Sequence, residues 1–293
     1  MRRILVTGAN KGIGLAIARG ILAEHADTFV FLGSRDQARG HAAVEALIAE
    51  QPSFSGRLVH VELDVSSDES VASAIDGVRQ QLGPAGRLYG VVNNAGIGAR
   101  SHDLQTVLNV NTVGVHRVCE GFLPLIDPQH GRVVNVTSAS GPTFVAQCSD
   151  ERQRLFLDAE SEWADLESLM SECIALGNDK SAFKNKGLGD GDAYGLSKAC
   201  ANTYTLQLAR RHPELRVNAC TPGFIATDMT RGYVASQGKT AAELGLKTPA
   251  DGARCPLFLL FGELEGNGRY YGSDAKRSPL DRYRAPGSPP HTD

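Results

Sequence analysis

The chain has 293 residues, of which 42% are apolar, 22% charged and 6% aromatic, the composition of a globular protein long enough to bury a sizeable core without disulfide staples. Lys and Arg total 30 against 33 Asp and Glu, a formal charge of −3, so no basic field exists to hold nucleic acid or an anionic membrane surface. No apolar run approaches the roughly 20 residues that span a bilayer, and the N-terminus enters an apolar strand directly, which excludes a membrane protein and predicts a cytoplasmic one.

Strand-length apolar runs occur at residues 3–7, 28–33, 57–63, 87–93, 131–137 and 215–220. They alternate with segments of helical period at 13–24, 36–51, 67–82, 105–126 and 192–211. That alternation predicts a parallel sheet with crossover helices. The runs are continuous rather than alternating, as in Arg132-Val133-Val134-Asn135-Val136, which suits strands buried on both faces. The expected fold is therefore α/β, a doubly wound parallel sheet with helices on both sides.

Two segments depart from this rhythm. Residues 141–191 separate a strand from the next helix with no strand of their own, and a structureless loop of that length inside a compact fold is not expected. The segment is read as a helical insertion. Over 158–176, Trp163, Leu166, Met170, Cys173 and Ile174 form one apolar stripe, with Asp158 as N-cap and Gly177 as C-cap. From about Ser273 the chain is rich in Pro and Arg, which predicts no regular structure and a mobile last dozen residues. The expected organisation is one dinucleotide-binding and catalytic domain over 1–272, followed by a Pro-rich tail over 273–293.

The six cysteines are scattered without a CxxC pair, and the eight histidines show no HExxH pattern, so neither a disulfide framework nor a metal site is expected. The cysteines lie mostly in apolar stretches and read as small buried hydrophobes.

The first strand ends in Thr7-Gly8-Ala9-Asn10-Lys11-Gly12-Ile13-Gly14 and a helix starts at once. Glycines there permit a tight turn and let a pyrophosphate approach the positive end of the helix. The second strand ends Ser34-Arg35-Asp36, about 20 residues on, where dinucleotide folds read the adenosine ribose. An acid there binds a 2′-hydroxyl and an arginine a 2′-phosphate. Because Arg35 comes first, with Lys11 as a second cation, NADP(H) is the leading cofactor and NAD the alternative. Further along stand Asp64-Val65, Asn93-Asn94-Ala95-Gly96, Asn111 within an apolar helix, Ser138 ending the fifth strand, Tyr194 and Lys198 four residues apart, and Pro222-Gly223-Phe224-Ile225-Ala226-Thr227.

This ordered set, TGxxxGxG, NNAG, Asn, Ser, YxxxK and PG from Ile4 to about Gly272, resembles the short-chain dehydrogenase/reductase family. Within it, TGANKGIGLAIAR, LGSRD, GRVVNVTS and PGFIATDM are similar to the NADPH-dependent carbonyl reductases, which also carry a long insertion before the catalytic tyrosine. The resemblance implies a Rossmann-type sheet and cofactor contacts from Gly8, Asn10, Lys11, Gly12, Ile13, Gly14, Arg35, Asp64, Val65, Asn93, Ala95, Gly96, Pro222, Gly223, Ile225 and Thr227. Tyr194 and Lys198 join that set, and Asn111 is implied to hold a water in a proton relay. It also implies a monomer acting on a small-molecule carbonyl substrate, although the stripe around Trp163 leaves a dimer contact as the alternative.

The residues themselves support the chemistry. Tyr194 and Lys198 share a helix face. A free phenol, with a pKa of about 10, is a poor catalyst near neutrality, and a neighbouring ammonium plus the positive charge of oxidised nicotinamide is expected to lower it. Ser138 is placed to hydrogen-bond the carbonyl oxygen. The reading is NADPH-dependent reduction of a ketone or aldehyde with Tyr194 as proton donor. Its main rival is a dinucleotide-binding sensor that has lost catalysis. A sugar-nucleotide epimerase is disfavoured because its usual TGxxGxxG spacing differs from Gly8, Gly12 and Gly14.

Overall fold

The structure, a computed structural model, describes residues 1–292. In chain order its first half contains β1 (Arg2–Val6), α1 (Gly12–Glu24), β2 (Thr28–Ser34), α2 (Gln37–Glu50), β3 (Leu58–Glu62), α3 (Asp68–Leu82), β4 (Leu88–Asn93), α4 (Leu104–Leu108), α5 (Gly114–Phe122) and β5 (Arg132–Val136). The inserted segment holds α6 (Ser140–Val145), α7 (Asp150–Leu157), α8 (Trp163–Leu176) and α9 (Lys180–Asn185). Then come α10 (Ala193–Arg211), β6 (Arg216–Cys220), α11 (Asp228–Gln237), α12 (Pro249–Phe261) and β7 (Arg269–Tyr271).

Among the described residues the strands form one seven-stranded sheet in the order β3-β2-β1-β4-β5-β6-β7, parallel throughout. The continuous apolar runs follow from two cores, one on each face. Ile4, Val6, Val30, Leu32 and Val134 enter one; Leu5, Phe31, Val91 and Val133 enter the other. Successive side chains of a strand point to opposite faces, so both must be apolar. Strand order reverses between β1 and β4, which opens a crevice beyond their carboxyl ends where ligands of such sheets bind. Among the described residues no helix is long and apolar enough to cross a membrane.

Three local readings need correction. The helix expected over 105–126 is interrupted by a π-helical segment, Asn109–Val113, and gives way at Phe122 to a short 3-10 turn, Leu123–Leu125, containing Pro124. Two elements escape the periodicity. β7 is a three-residue edge strand, and α12 is announced only by its cap, in which the Thr248 hydroxyl accepts from Asp251 N at 3.2 Å while the Asp251 carboxylate answers at Thr248 N. In the insertion, α8 starts from Glu162, not Asp158, because the Asp165 carboxylate accepts from Glu162 N at 2.8 Å while the Asp158 carboxylate accepts from Glu160 N in the preceding turn. Gly177 does end the helix, at φ +62°.

The stripe on α8 is covered within the chain. Leu166, Leu169, Met170 and Cys173 are buried in the core on that side, and Trp163 stacks on His116 of α5 at 3.7 Å and meets Tyr204 of α10 edge-on. Ile174 faces out at 38% exposure, so Leu169 takes the place it was expected to fill. Among the described residues the tail has no helix or strand beyond β7, as its composition predicts, but it is fastened down. Arg284 pairs with Asp274 at 2.7 Å and donates to the Ser288 and Pro289 carbonyls, and His291 N bonds Arg277 O.

Candidate active site

The loop between β1 and α1 is packed directly against the segment that leaves β4. A Cβ on Gly14 would overlap the Gly8 carbonyl and the Asn94 amide, and one on Gly8, at φ +63°, would come within 2.9 Å of Ala95 Cα. Asn94 Nδ2 donates to the carbonyls of Thr7 and Gly8, while Thr7 Oγ1 accepts from Asn94 N and Ala95 N. Thr7 and Asn94 therefore shape the crevice, roles the motif reading did not assign. Asn93, expected at the cofactor, instead turns its side chain into the sheet, donating to Asn135 Oδ1 at 2.9 Å. Strand alternation explains this: the last residue of β4 points inward while its neighbour faces the loop.

The crevice fits a dinucleotide. Lys11 occupies the N-cap of α1 without a side-chain cap, leaving the first-turn N–H groups of Gly12, Ile13 and Gly14, which follow Asn10 in the turn, without side-chain acceptors. At the end of β2, Asp36 is spent on α2: its carboxylate accepts from Arg39 N at 2.9 Å and Arg39 Nε at 2.8 Å. Arg35 is exposed and makes no ion pair among the described residues. The acid that would hold a ribose hydroxyl is thus committed, and the guanidinium that would hold a phosphate is free. Lys11 is not a second free cation, since its ammonium meets Asp228 of α11 at 2.7 Å. Asp64, expected at adenine, folds its carboxylate onto Ser66, and Val65 beside it is buried. The turn after β6 closes on the same crevice. Thr227 lies next to Gly12, Ile225 is buried beside Gly252, and Gly223, at φ +92°, faces Ser273 past Pro222. Phe224 and Met229 are exposed at 46% and 45%, and α11 buries none of its residues, as a flap does.

The reactive groups converge from three elements. Ser138 follows β5, and its Oγ lies 3.3 Å from Ser140 Oγ and within bonding reach of Tyr194. Tyr194 and Lys198 project from the first turns of α10, which Asp192 caps by accepting from Gly195 N at 2.9 Å. Lys198 Nζ sits 5.6 Å from the Tyr194 ring centre and donates to Val136 O at 3.3 Å. Asn111 is fully buried in the π-helical segment, exchanging bonds with the Ile97 backbone and donating to Ser197 Oγ at 3.1 Å. A Cβ on Gly96 would lie 3.2 Å from Asn111 Oδ1 and 3.4 Å from Lys198 Nζ, so Asn111 and Lys198 flank one point. A π-bulge at such a cluster is a frequent mark of a functional site.

Burial, rather than mutual attraction, dominates the electrostatics. It raises the Tyr194 phenol, against the partly opposing bond from Ser138, so the neighbouring ammonium does not produce the expected lowering. It also pushes the Lys198 ammonium from 10.5 down to about 8. The consequence is measurable. Between those two values the unfolded chain holds a proton that the folded chain has released, so stability rises with pH there. The urea midpoint of the wild type should climb relative to Lys198→Met from about pH 8 to about pH 10. A difference independent of pH would contradict the burial of a titrating ammonium.

Elsewhere the thiols match the bland reading. All six cysteines are buried and free, and burial pushes Cys119, Cys148 and Cys173 up to about 12. Near Ser138 lies a cavity of about 320 Å³, lined by Ala139, Ser140, Phe144, Gln147, Asp192 and Tyr283 among others. Ser140 and Tyr283 carry no motif, and only the folded tail brings Tyr283 there.

A parallel sheet with this strand order, a glycine turn at its switch point and a Ser-Tyr-Lys group beside it defines a dinucleotide-dependent oxidoreductase class. The chain belongs to the short chain dehydrogenase family, whose model matches residues 2–149. It is 36% identical over 263 residues to carbonyl reductase (NADPH) 3 of Rattus norvegicus, covering 85% of this chain and 89% of that one. It is 35% identical to carbonyl reductase (NADPH) 1 of Bos taurus, covering 87% and 89% of the two chains. Among solved structures it resembles the salutaridine reductase of Papaver somniferum, with a TM-score of 0.75 at 24% identity over 92% of this chain and 99% of that one, a likeness of fold.

Proposed function

We propose that this protein reduces a ketone or aldehyde to the alcohol with NADPH. The observation that carries this reading is the convergence of Ser138, Tyr194 and Lys198 beside the crevice formed by the glycine turn, in a chain similar over most of its length to carbonyl reductases named for NADPH. NADPH, once bound, supplies the hydride for the carbonyl carbon. Gly12, Ile13 and Gly14 hold its pyrophosphate through backbone N–H groups and Arg35 its 2′-phosphate. Ser138 Oγ and the Tyr194 hydroxyl both hydrogen-bond the carbonyl oxygen and stabilise the charge that develops there.

Tyr194 then gives its proton to that oxygen. The burial that raises the phenol keeps it protonated until the oxyanion forms, which is the state a donor requires. Lys198, still mostly charged at neutral pH with its value near 8, favours the phenolate left behind. Asn111 fixes the Ile97 backbone and the approach to Lys198, the position from which a relay to solvent would run. Cofactor oxidation in the presence of a broad panel of ketones and aldehydes tests the reading. Consumption of NADPH with none of them would refute it.

The same reading extends to a cytoplasmic enzyme with one catalytic domain over 1–272. It also extends to a monomer, supported by the cover that α7 and α8 give to α10 within one chain. Light scattering over a range of concentrations should return one mass near 31.2 kDa. A stable dimer mass contradicts the monomer. Replacing Trp163 and Met170 with Ala should instead cause aggregation, since each such side chain is worth roughly 1.5–3 kcal/mol when buried.

A further inference from the structure

The tail that follows β7 is built as a fixed loop. The Arg284 guanidinium, its side chain only 6% exposed, bonds both Asp274 oxygens, Ser278 Oγ and the carbonyls of Ser288 and Pro289. Asp274 accepts in addition from Gly287 N at 2.9 Å, and these bonds hold its carboxyl down at about 2. Gly272 has no room for a side chain beside Arg284. Such a bidentate, buried clamp fixes geometry as well as adding stability. It sits against the turn after β6, where Ser273 meets Gly223.

Tyr283, the neighbour of Arg284, is 57% exposed and makes no hydrogen bond among the described residues. Its ring lines the cavity whose other walls are Ser140, Phe144 and Gln147 of the segment after Ser138 and Asp192 just before Tyr194. Ser140 Oγ is 3.3 Å from Ser138 Oγ, so this cavity lies beside the group proposed to bind the carbonyl oxygen. An aromatic ring at the edge of a cavity, on a backbone fixed next door by Arg284 and with few side-chain torsions to freeze, is an economical surface for a flat apolar ligand.

We infer that the C-terminal loop is a wall of the substrate site and that Tyr283 is a specificity-determining residue, stacking on the body of a carbonyl compound that carries an aromatic ring. The inference rests on the carbonyl-reductase reading and adds the class of substrate and the element that selects it. Arg284 acts through Tyr283, as a positioning residue.

The test uses the full-length chain with Tyr283→Ala, Tyr283→Phe and Arg284→Gln, and two carbonyls, 2-acetylnaphthalene and butanal. For Tyr283→Ala the ratio of kcat/KM for the naphthyl ketone to that for butanal should fall about tenfold, while Tyr283→Phe keeps the wild-type ratio. Arg284→Gln should lower the ratio in the same direction; if it does not fold, the two Tyr283 variants decide. Calorimetric titration of the ketone, with and without NADP⁺, should show about tenfold weaker binding to Tyr283→Ala. An unchanged ratio and unchanged binding in Tyr283→Ala overturn the inference and leave the reductase reading intact. A wild type that oxidises NADPH with neither of these nor with any carbonyl of the broad panel overturns the reductase reading, and the titration alone then decides whether Tyr283 is a ligand wall.

Discussion

Replacing Tyr194 with Phe should lower carbonyl reduction by at least about 10²-fold, the lower end of what a positioned acid contributes, while NADPH binds as before. The hydroxyl is the only group removed, and the ring keeps its place beside Lys198, 5.6 Å from Nζ. The loss should fall mainly on kcat, because the proton is needed in the transition state, with a smaller rise in KM from the lost hydrogen bond to the carbonyl oxygen. Ser138 remains to bind the carbonyl oxygen, so some reduction above background is expected to survive. Steady-state rates with the best carbonyl found, alongside cofactor titration, check this. Near wild-type turnover in the variant would remove Tyr194 from the proposed mechanism.

Arg35→Ala should weaken NADPH binding by about 1.5–3 kcal/mol, the range for a charge-assisted bond, and leave NADH binding almost unchanged. Arg35 is exposed and unpaired among the described residues, so its loss leaves no buried group orphaned, and the effect reads the 2′-phosphate alone. Lys11 offers little compensation while it is held by Asp228. Titration of both nucleotides onto wild type and variant measures the difference. Equal affinity of the wild type for NADH and NADPH contradicts the assignment.

The sheet was legible because its signal is redundant: β1, β2, β4, β5 and β6 each supply a continuous apolar run that two cores require. Much of the candidate site was legible because Gly8, Ser138 and Tyr194 sit at strand ends and one helix start, where sequence order fixes which groups face one crevice. What escaped depended on side-chain direction or on long-range contact. Asn93 and Asn94 are adjacent letters, yet strand alternation sends one to Asn135 and the other to the glycine turn. The split of α4 from α5 is hidden because Asn111 bonds Ile97, 14 positions away. Tyr194 was expected to be lowered by Lys198, but the burial of the phenol itself, which four letters of helix spacing do not show, raises it instead. The tail shows the limit most plainly. Its Pro-rich composition correctly denies it helix and strand, yet one arginine meeting Asp274 ten residues back gives it a fixed course that composition does not encode.

Reduction with NADPH carrying deuterium at the transferable nicotinamide position tests the central claim most directly. The proposed mechanism predicts an alcohol with one deuterium on the carbinol carbon for each cofactor consumed, and loss of that product in Tyr194→Phe. NADPH that binds but passes deuterium to no carbonyl in the panel, as it would on a catalytically silent sensor, would contradict it.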